Sequence, residues 1–180
     1  MSSIRFEVEP FEIDSWTLIR LPLSASGRLP SRGMTMVEGT INGVPFQTPL
    51  EPDGKKSHWF RVSQSMCEAA KVVVGNKVTL DIEPLKKWPE PEVPADLQKA
   101  FASDLQAGDL WSNTTTKARW DWIRWIRSTK NPDTRKSRID KTCSKLKSGN
   151  RRPCCFNRSQ CTEPAVSKSG VLLAPQEPAD

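Results

Sequence analysis

The first part of the chain alternates apolar and polar residues with a period of two. Ile4, Phe6 and Val8 are separated by charged residues. Trp16 and Leu18 follow the same alternation. Successive side chains of a strand point to opposite faces, so a period of two is typical of a half-buried β-strand. We therefore predict short strands in this region.

Two tight-turn signals predict hairpins further along. The Asn-Gly pair at 42–43 lies between two apolar segments, and both residues tolerate the positive φ of a two-residue hairpin turn. The Asp-Gly pair at 53–54 predicts a second hairpin, in which 46–50 pairs with 58–62.

A short helix and a last strand complete this half of the prediction. Ser65 with Glu68 has the spacing of a capping box, so a helix is expected from Ser65 to Val72, followed by a strand at 77–82. About six short strands with one helix are typical of a small β-barrel. Four prolines between residues 84 and 94 then exclude a continuous helix or a central strand.

The periodicity changes to that of helices after residue 94. Leu97, Phe101 and Leu105 recur every four residues and predict a helix that ends at Gly108. A second helix is expected to be capped near Asn113 or Thr114. A third is expected from 134 to about 147, with Asp133 as its N-cap and with Gly149 ending it.

These elements predict an α+β protein with four parts. They are a β-barrel domain at 1–84, a proline-rich linker at 85–94, a basic segment of about three helices at 95–156 and a disordered tail at 157–180.

The charge of the chain is concentrated in one segment. The net charge is +6, yet residues 1–90 are neutral, and residues 117–158 carry 14 basic side chains against three acidic ones. Within that window the three Asp residues neutralise at most three cations, so an uncompensated positive field is expected there. A polyanion such as nucleic acid is the partner that this field favours.

The cations that would contact an anion lie on the second and third predicted helices and just beyond them. The predicted anion or nucleic-acid site comprises Arg124, Arg127, Lys130, Arg135, Arg138, Lys141, Lys145, Arg151 and Arg152. The alternative interpretation of these residues is a solvated helix face with local ion pairs.

The tryptophans of the second predicted helix suggest both a core and a contact surface. Trp122 and Trp125 share an apolar face and are predicted to lie in the core. Trp120 and Ile123 lie beside Arg124 and Arg127 on roughly the opposite side, and they are candidate contacts for a protein partner.

Five cysteines and a single His limit the chemistry of the chain. Cys154 and Cys155 have arginine neighbours and are candidate reactive thiols of a redox sensor. The spacing of the cysteines does not fit a zinc site, so no metal is predicted. One His excludes most nucleophilic triads, and no cofactor fingerprint is present, so neither catalytic residues nor a cofactor is predicted.

Two groups of short strings carry a resemblance to known families. The first half resembles the bacterial family known as domain of unknown function 1905, through Leu21-Pro22, Val37-x-Gly39, Ile41-Asn42-Gly43-x-Pro45-Phe46, His58 and Gly75-x-x-Val78. The second resembles the "bacteriocin-protection, YdeI or OmpD-associated" family, through Trp125-Ile126-Arg127-Ser128-x-Lys130, Thr134-Arg135-x-x-Arg138-Ile139 and Leu146-x-x-Gly149. The first resemblance implies a double-split barrel similar to AbrB-like regulators.

Three functions are consistent with these observations. The first is a non-enzymatic protein that binds a polyanion through the basic helices. The second is a stress or antimicrobial-peptide protection protein that acts through a protein partner, and the third is a thiol sensor. Neither an export signal nor an apolar run of membrane-spanning length is present, so a cytoplasmic location with no membrane partner is expected, with a homodimer left open.

Overall fold

A computed structural model describes residues 3–153 and 171–172 of the chain. The chain forms two compact units. The first comprises the residues up to Lys87 together with the described pair 171–172, and the second begins at Trp88. The proline-rich segment at 85–94 is therefore divided between the two units.

The first unit is a curled antiparallel sheet in the form of a half-barrel. Its elements are β1 (Ile4–Val8), β2 (Phe11–Ile13), β3 (Trp16–Arg20), α1 (Leu23–Ser26), β4 (Thr35–Ile41), β5 (Val44–Pro52), β6 (His58–Val62), α2 (Gln64–Ala70) and β7 (Val78–Pro84). The strand order is β1-β7-β4-β5-β6-β3-β2. The prediction of a barrel-like fold from short strands is thus confirmed, although β2 and α1 were not predicted. The AbrB-like topology stays a prediction.

One predicted hairpin is confirmed and the other is paired differently. Asn42 and Gly43 have φ angles of 48° and 82° and connect β4 to β5 from the Ile41–Val44 pair onwards. The pairing predicted for 46–50 is wrong, because these residues pair with β4. Only the last two residues of β5 reach β6. Prolines in β5 lack the amide donor that a second ladder needs, and the curled sheet separates the strands beyond this corner.

A single core fills the concave side of the sheet. Ile19, Val37, Ile41, Leu50 and Leu80 are fully buried there. Gly39 is required where β4 crosses β7, because a Cβ at this position would lie 1.9 Å from the carbonyl oxygen of Asp81.

Helix α2 and the C-terminal segment differ from the prediction. The N-cap of α2 is Ser63 and not Ser65, since the Ser63 hydroxyl accepts a hydrogen bond from the Met66 amide at 3.2 Å. The disordered tail predicted for 157–180 is wrong at Leu172, which is only 4% exposed and bonds to Asp53. The apolar run at 171–174 that contains Leu172 is only four residues long and shows no periodicity that would reveal this packing.

The described residues of the second unit, 88–153, contain four helices rather than three. They are α3 (Ala95–Ser103), α4 (Leu105–Ser112), α5 (Thr116–Arg127) and α6 (Pro132–Lys147). Gly108 lies inside α4, so the predicted stop there is wrong. The helices separate at Asp104 instead, where φ is −140° and the carboxylate accepts a hydrogen bond from the Ala107 amide at 3.2 Å. The break between α3 and α4 is therefore set by the Asp104 cap, four residues before Gly108.

The core of the second unit is built on aromatic residues. Trp122, Ile123 and Ile126 are buried together with Leu97 and Ile139. The predicted core position of Trp122 is confirmed, and Trp125 is half-buried against the same cluster. Within the described parts of the chain, no helix is long and apolar enough to cross a membrane.

His58, the only His of the chain, is held in the first unit by two hydrogen bonds. Its Nε2 donates to the Gly33 carbonyl at 2.8 Å, so its Nδ1 accepts from the Ser26 hydroxyl at 2.7 Å. The side chain is fully buried, and burial lowers the pKa of the imidazole. The folded protein therefore keeps His58 neutral.

We predict that acidification between pH 7 and pH 5 destabilises the first unit. The unfolded chain binds a proton at His58 near pH 6.5, whereas the folded chain resists it, so the free energy of unfolding falls as the pH falls below about 6.5. Urea unfolding at pH 7.5, 6.5 and 5.5 measures this loss. His58→Gln is expected to be less stable at pH 7.5 but to lose the pH dependence; an equal fall in both proteins contradicts the assignment.

Candidate anion-binding surface around Trp125

Helices α5 and α6 are fixed at their N-termini by side-chain caps. The Thr115 hydroxyl accepts a hydrogen bond from the Ala118 amide at 3.1 Å and begins α5. Asn131 begins α6, because its Oδ1 accepts from the Asp133 and Thr134 amides at 2.9 and 3.2 Å. The N-cap of α6 is thus Asn131 rather than the predicted Asp133, and the cap of α5 lies one or two residues later than predicted.

Two cations of α6 lie over the half-buried ring of Trp125. The Arg138 guanidinium carbon is 5.4 Å and the Lys145 Nζ is 5.3 Å from the ring centroid. Both are also fixed by hydrogen bonds, because Arg138 donates to the Trp125 carbonyl at 2.6 Å and Lys145 donates to the Pro153 carbonyl at 2.7 Å. The two cations are seven residues apart, which is two helical turns, and they converge on one aromatic ring.

The segment after α6 returns to the same place. Gly149, with a φ of 88°, ends the helix as predicted, and the Asn150 amide donates to the Lys145 carbonyl at 2.9 Å. The Trp122 indole then donates to the Arg151 carbonyl at 3.1 Å. The backbone of Arg151 is fixed in this way while its side chain stays exposed, as does that of Arg152.

We call these residues the cationic patch. Lys141 belongs to it because its position, between Arg138 and Lys145 at helical spacing, puts it on the same side of α6, and it is exposed. In the described part of the chain, Lys141, Arg151 and Arg152 have no ion pair. The patch comprises Trp125, Arg138, Lys141, Lys145, Arg151 and Arg152.

The other predicted anion contacts are located elsewhere. Arg124 is buried and forms an ion pair with Asp121 at 3.3 Å, so it is not exposed to a ligand. Arg135 binds Asp96 through two hydrogen bonds of 2.6 and 3.0 Å. Arg127 and Lys130 are exposed, and each interacts with other groups of the chain.

Trp120 and Ile123 are too deeply buried to serve as the predicted partner contacts. They are 8% and 1% exposed. The Trp120 indole donates to the Pro89 carbonyl at 2.8 Å, and its ring contacts Trp88 edge-on. The proline-rich segment therefore covers the side of α5 that the helical pattern assigns to solvent.

Acidic residues that precede the basic helices neutralise part of their charge. Glu90 pairs with Arg119, Asp96 with Arg135 and Asp104 with Lys147. The Arg135 and Lys147 side chains lower the pKa of Asp96 and of Asp104, respectively. From 88 to 153 the sequence has 14 basic and eight acidic side chains, a net charge of +6. The expectation that only three acids compensate the helices is thus wrong.

These ion pairs border a shallow groove between α3 and α6 that the sequence did not predict. Its volume is about 670 Å³, and Ala100, Ile139 and Cys143 contribute to its lining together with the Asp96–Arg135 and Asp104–Lys147 pairs. Burial, with the nearby Asp104 charge, raises the pKa of the Cys143 thiol, so this cysteine is not an activated nucleophile.

The candidate thiols Cys154 and Cys155 lie outside the described residues, as does Cys161. Among the residues that the structure does describe, no group of three His, Cys, Asp or Glu side chains is arranged to hold a metal ion. The prediction that the chain uses no metal or cofactor stays a prediction.

Comparison with protein families agrees with the division into two units. Residues 5–82 match the family described as "Domain of unknown function (DUF1905)". Residues 90–149 match the family described as "Bacteriocin-protection, YdeI or OmpD-Associated". The chain joins these two families in this order. Both resemblances seen in the sequence are therefore confirmed, and the cationic patch lies mostly within the bacteriocin-protection segment. No curated protein matches the chain.

We predict a measurable coupling between Asp96 and Arg135 of about 0.5–1 kcal/mol. The value is small because their side chains are 45% and 29% exposed, and it should fall towards zero in 1 M salt. A double-mutant cycle of Asp96→Asn and Arg135→Gln, followed by urea unfolding, measures it. Asp96→Asn with Lys147→Gln is the control and should be additive; equal coupling in both cycles contradicts the pairing.

Proposed function

We propose that the protein is a non-enzymatic binding protein whose second unit contacts an anionic partner through the cationic patch. The observation that carries this proposal is the convergence of Arg138 and Lys145 on Trp125 beside the exposed Arg151 and Arg152. The cations of the patch are like charges that repel one another, and an anion that lies among them relieves this repulsion.

The charge of the second unit supports the same proposal. When all acidic side chains between residues 88 and 153 are counted, the net charge of this stretch is still +6. Among the described residues, Lys141, Arg151 and Arg152 are exposed and have no ion pair, and they lie in the C-terminal half of α6 and the loop that follows it. A polyanion that binds there releases its condensed counterions, which is the main source of affinity in such complexes.

Single-stranded nucleic acid is the polyanion that we propose. Half-buried Trp125 lies beside cationic side chains that can bind phosphate, and single-strand binders combine aromatic rings with a basic surface. The patch consists of one aromatic ring and five cations, and cations contact the phosphates of any sequence, so binding should depend little on sequence.

The family description of residues 90–149 favours a second candidate function. Its words "bacteriocin-protection" suggest a protective role that acts through a peptide or protein partner. The burial of Trp120 and Ile123 excludes them as the contact surface in this fold, so such a partner would bind elsewhere on the unit. The cytoplasmic location and the homodimer stay predictions.

We predict salt-sensitive binding to a labelled 20-nucleotide single strand in fluorescence anisotropy. The slope of log K against log salt should be about −0.7 for each phosphate contact. Reversing Lys141, Arg151 and Arg152 to Glu should weaken binding at least tenfold and reduce the slope by about two.

The matched control reverses three exposed cations of the first unit, Arg5, Lys77 and Lys86, to Glu. It changes the net charge equally and should weaken binding less than threefold. The absence of binding at 50 mM salt, or equal losses in the two triple variants, would contradict the proposal.

A further inference from the structure

The sheet of the first unit has a second apolar face, which is separate from its main core. Leu18 on β3 and Trp59 on β6 are fully buried on this face. Phe11, Ile13 and Trp16 surround them and are partly buried. The Arg61 guanidinium lies over the Trp16 ring at 4.1 Å and borders the face.

A short segment from far along the chain covers this face. The Leu172 amide donates a hydrogen bond to the Asp53 carbonyl at 3.0 Å, just beyond β5. The Leu172 side chain packs on Leu18 and Trp59 and is 4% exposed. A backbone hydrogen bond just beyond a strand, together with an apolar side chain placed in a pocket of the sheet, is similar to the geometry by which sheets bind extended peptides.

The contact with Leu172 leaves one polar atom of the pocket without a hydrogen bond among the described residues. The Trp59 Nε1 is buried, and it has no hydrogen-bond acceptor among the residues that the structure describes. Buried indole N–H groups ordinarily have a partner, and an unsatisfied donor opposes burial. A segment that fills the pocket but leaves this donor unsatisfied binds less tightly than one that supplies an acceptor.

We propose that the Leu18–Trp59 face is a docking site for an extended leucine-containing segment, and that the pair 171–172 of the same chain occupies it as a displaceable intramolecular ligand. Tethering supplies an effective concentration in the millimolar range, so a contact of one leucine and one described backbone hydrogen bond is sufficient for docking. This role is independent of the cationic patch, which belongs to the other unit.

The test measures binding of a labelled peptide with the sequence of residues 165–177 to the full-length protein. In Leu172→Asp the tethered segment cannot fill the apolar pocket, so this variant should bind the peptide at least tenfold more tightly than the wild type. The control is Leu105→Asp, which makes the same change at a side chain that is 76% exposed, and it should behave as the wild type. A peptide that itself carries Leu172→Asp should not bind.

Two results would overturn the proposal. One is equal peptide affinity of the wild type and Leu172→Asp. The other is the absence of peptide binding both to Leu172→Asp and to a chain that ends at residue 169. The shortened chain lacks Leu172 without carrying a substitution, so it still tests the proposal if Leu172→Asp disturbs folding. Sedimentation of the wild type decides whether docking occurs within one chain, because a dimer that Leu172→Asp dissociates would place the segment on a second copy.

Discussion

The pairing of Asp96 and Asp104 with α6 decides which cations of the second unit are available to a ligand. Asp96 binds Arg135 near the start of α6, and Asp104 binds Lys147 near its end. The two partners of each pair lie 39 and 43 residues apart in sequence. Asp96 is in the first turn of α3 and Asp104 is its C-cap, so the two pairs connect the two ends of α3 with the two ends of α6. They neutralise two of the three α6 cations, Arg135, Lys136 and Lys147, that line the groove beside α3. Lys141, Arg151 and Arg152, which are exposed and have no ion pair among the described residues, belong to the cationic patch instead.

The geometry of the cationic patch depends on local signals at the helix ends. Asn131 sets the start of α6, and with it the helical phase that places Arg138 and Lys145 over one ring. Gly149 adopts the positive φ that ends the helix and returns Arg151 to the Trp122 indole. A shift of one residue would rotate α6 by about 100° and separate these groups.

Local patterns predicted the elements but not their long-range partners. The alternation around Phe6 and Leu18 and the Asn42–Gly43 turn identified strands and a hairpin because their causes lie within a few residues. The pairing of β5 and the burial of Trp120 depend on segments about ten to thirty residues away, so periodicity alone assigned them wrongly. Leu172 packs against residues more than a hundred positions earlier in the sequence, and the short apolar run that contains it gives no indication of these partners.

The residues of the candidate site were likewise predictable where local spacing determines them, but not where distant partners do. The sequence identified Arg138, Lys141 and Lys145 as one helix face together with the following arginines. It also included Arg124 and Arg135, which the structure places elsewhere. Arg135 binds an acid outside the basic window 117–158, and the burial of the Arg124–Asp121 pair depends on packing that the sequence does not show. Net charge counted by segment overstates a field whenever neighbouring segments fold together, and here it gave +11 where the unit as a whole carries +6.

Amine reactivity of individual lysines tests most directly the claim that tertiary pairing selects the available cations. Lys141 is exposed with no ion pair among the described residues, whereas Lys147 binds Asp104 at 2.7 Å, which raises the pKa of its ammonium group. Brief acetylation at low salt, followed by mass spectrometry, should modify Lys141 several-fold faster than Lys147, and 1 M salt should reduce the difference. Equal rates for the two lysines at low salt would contradict the account.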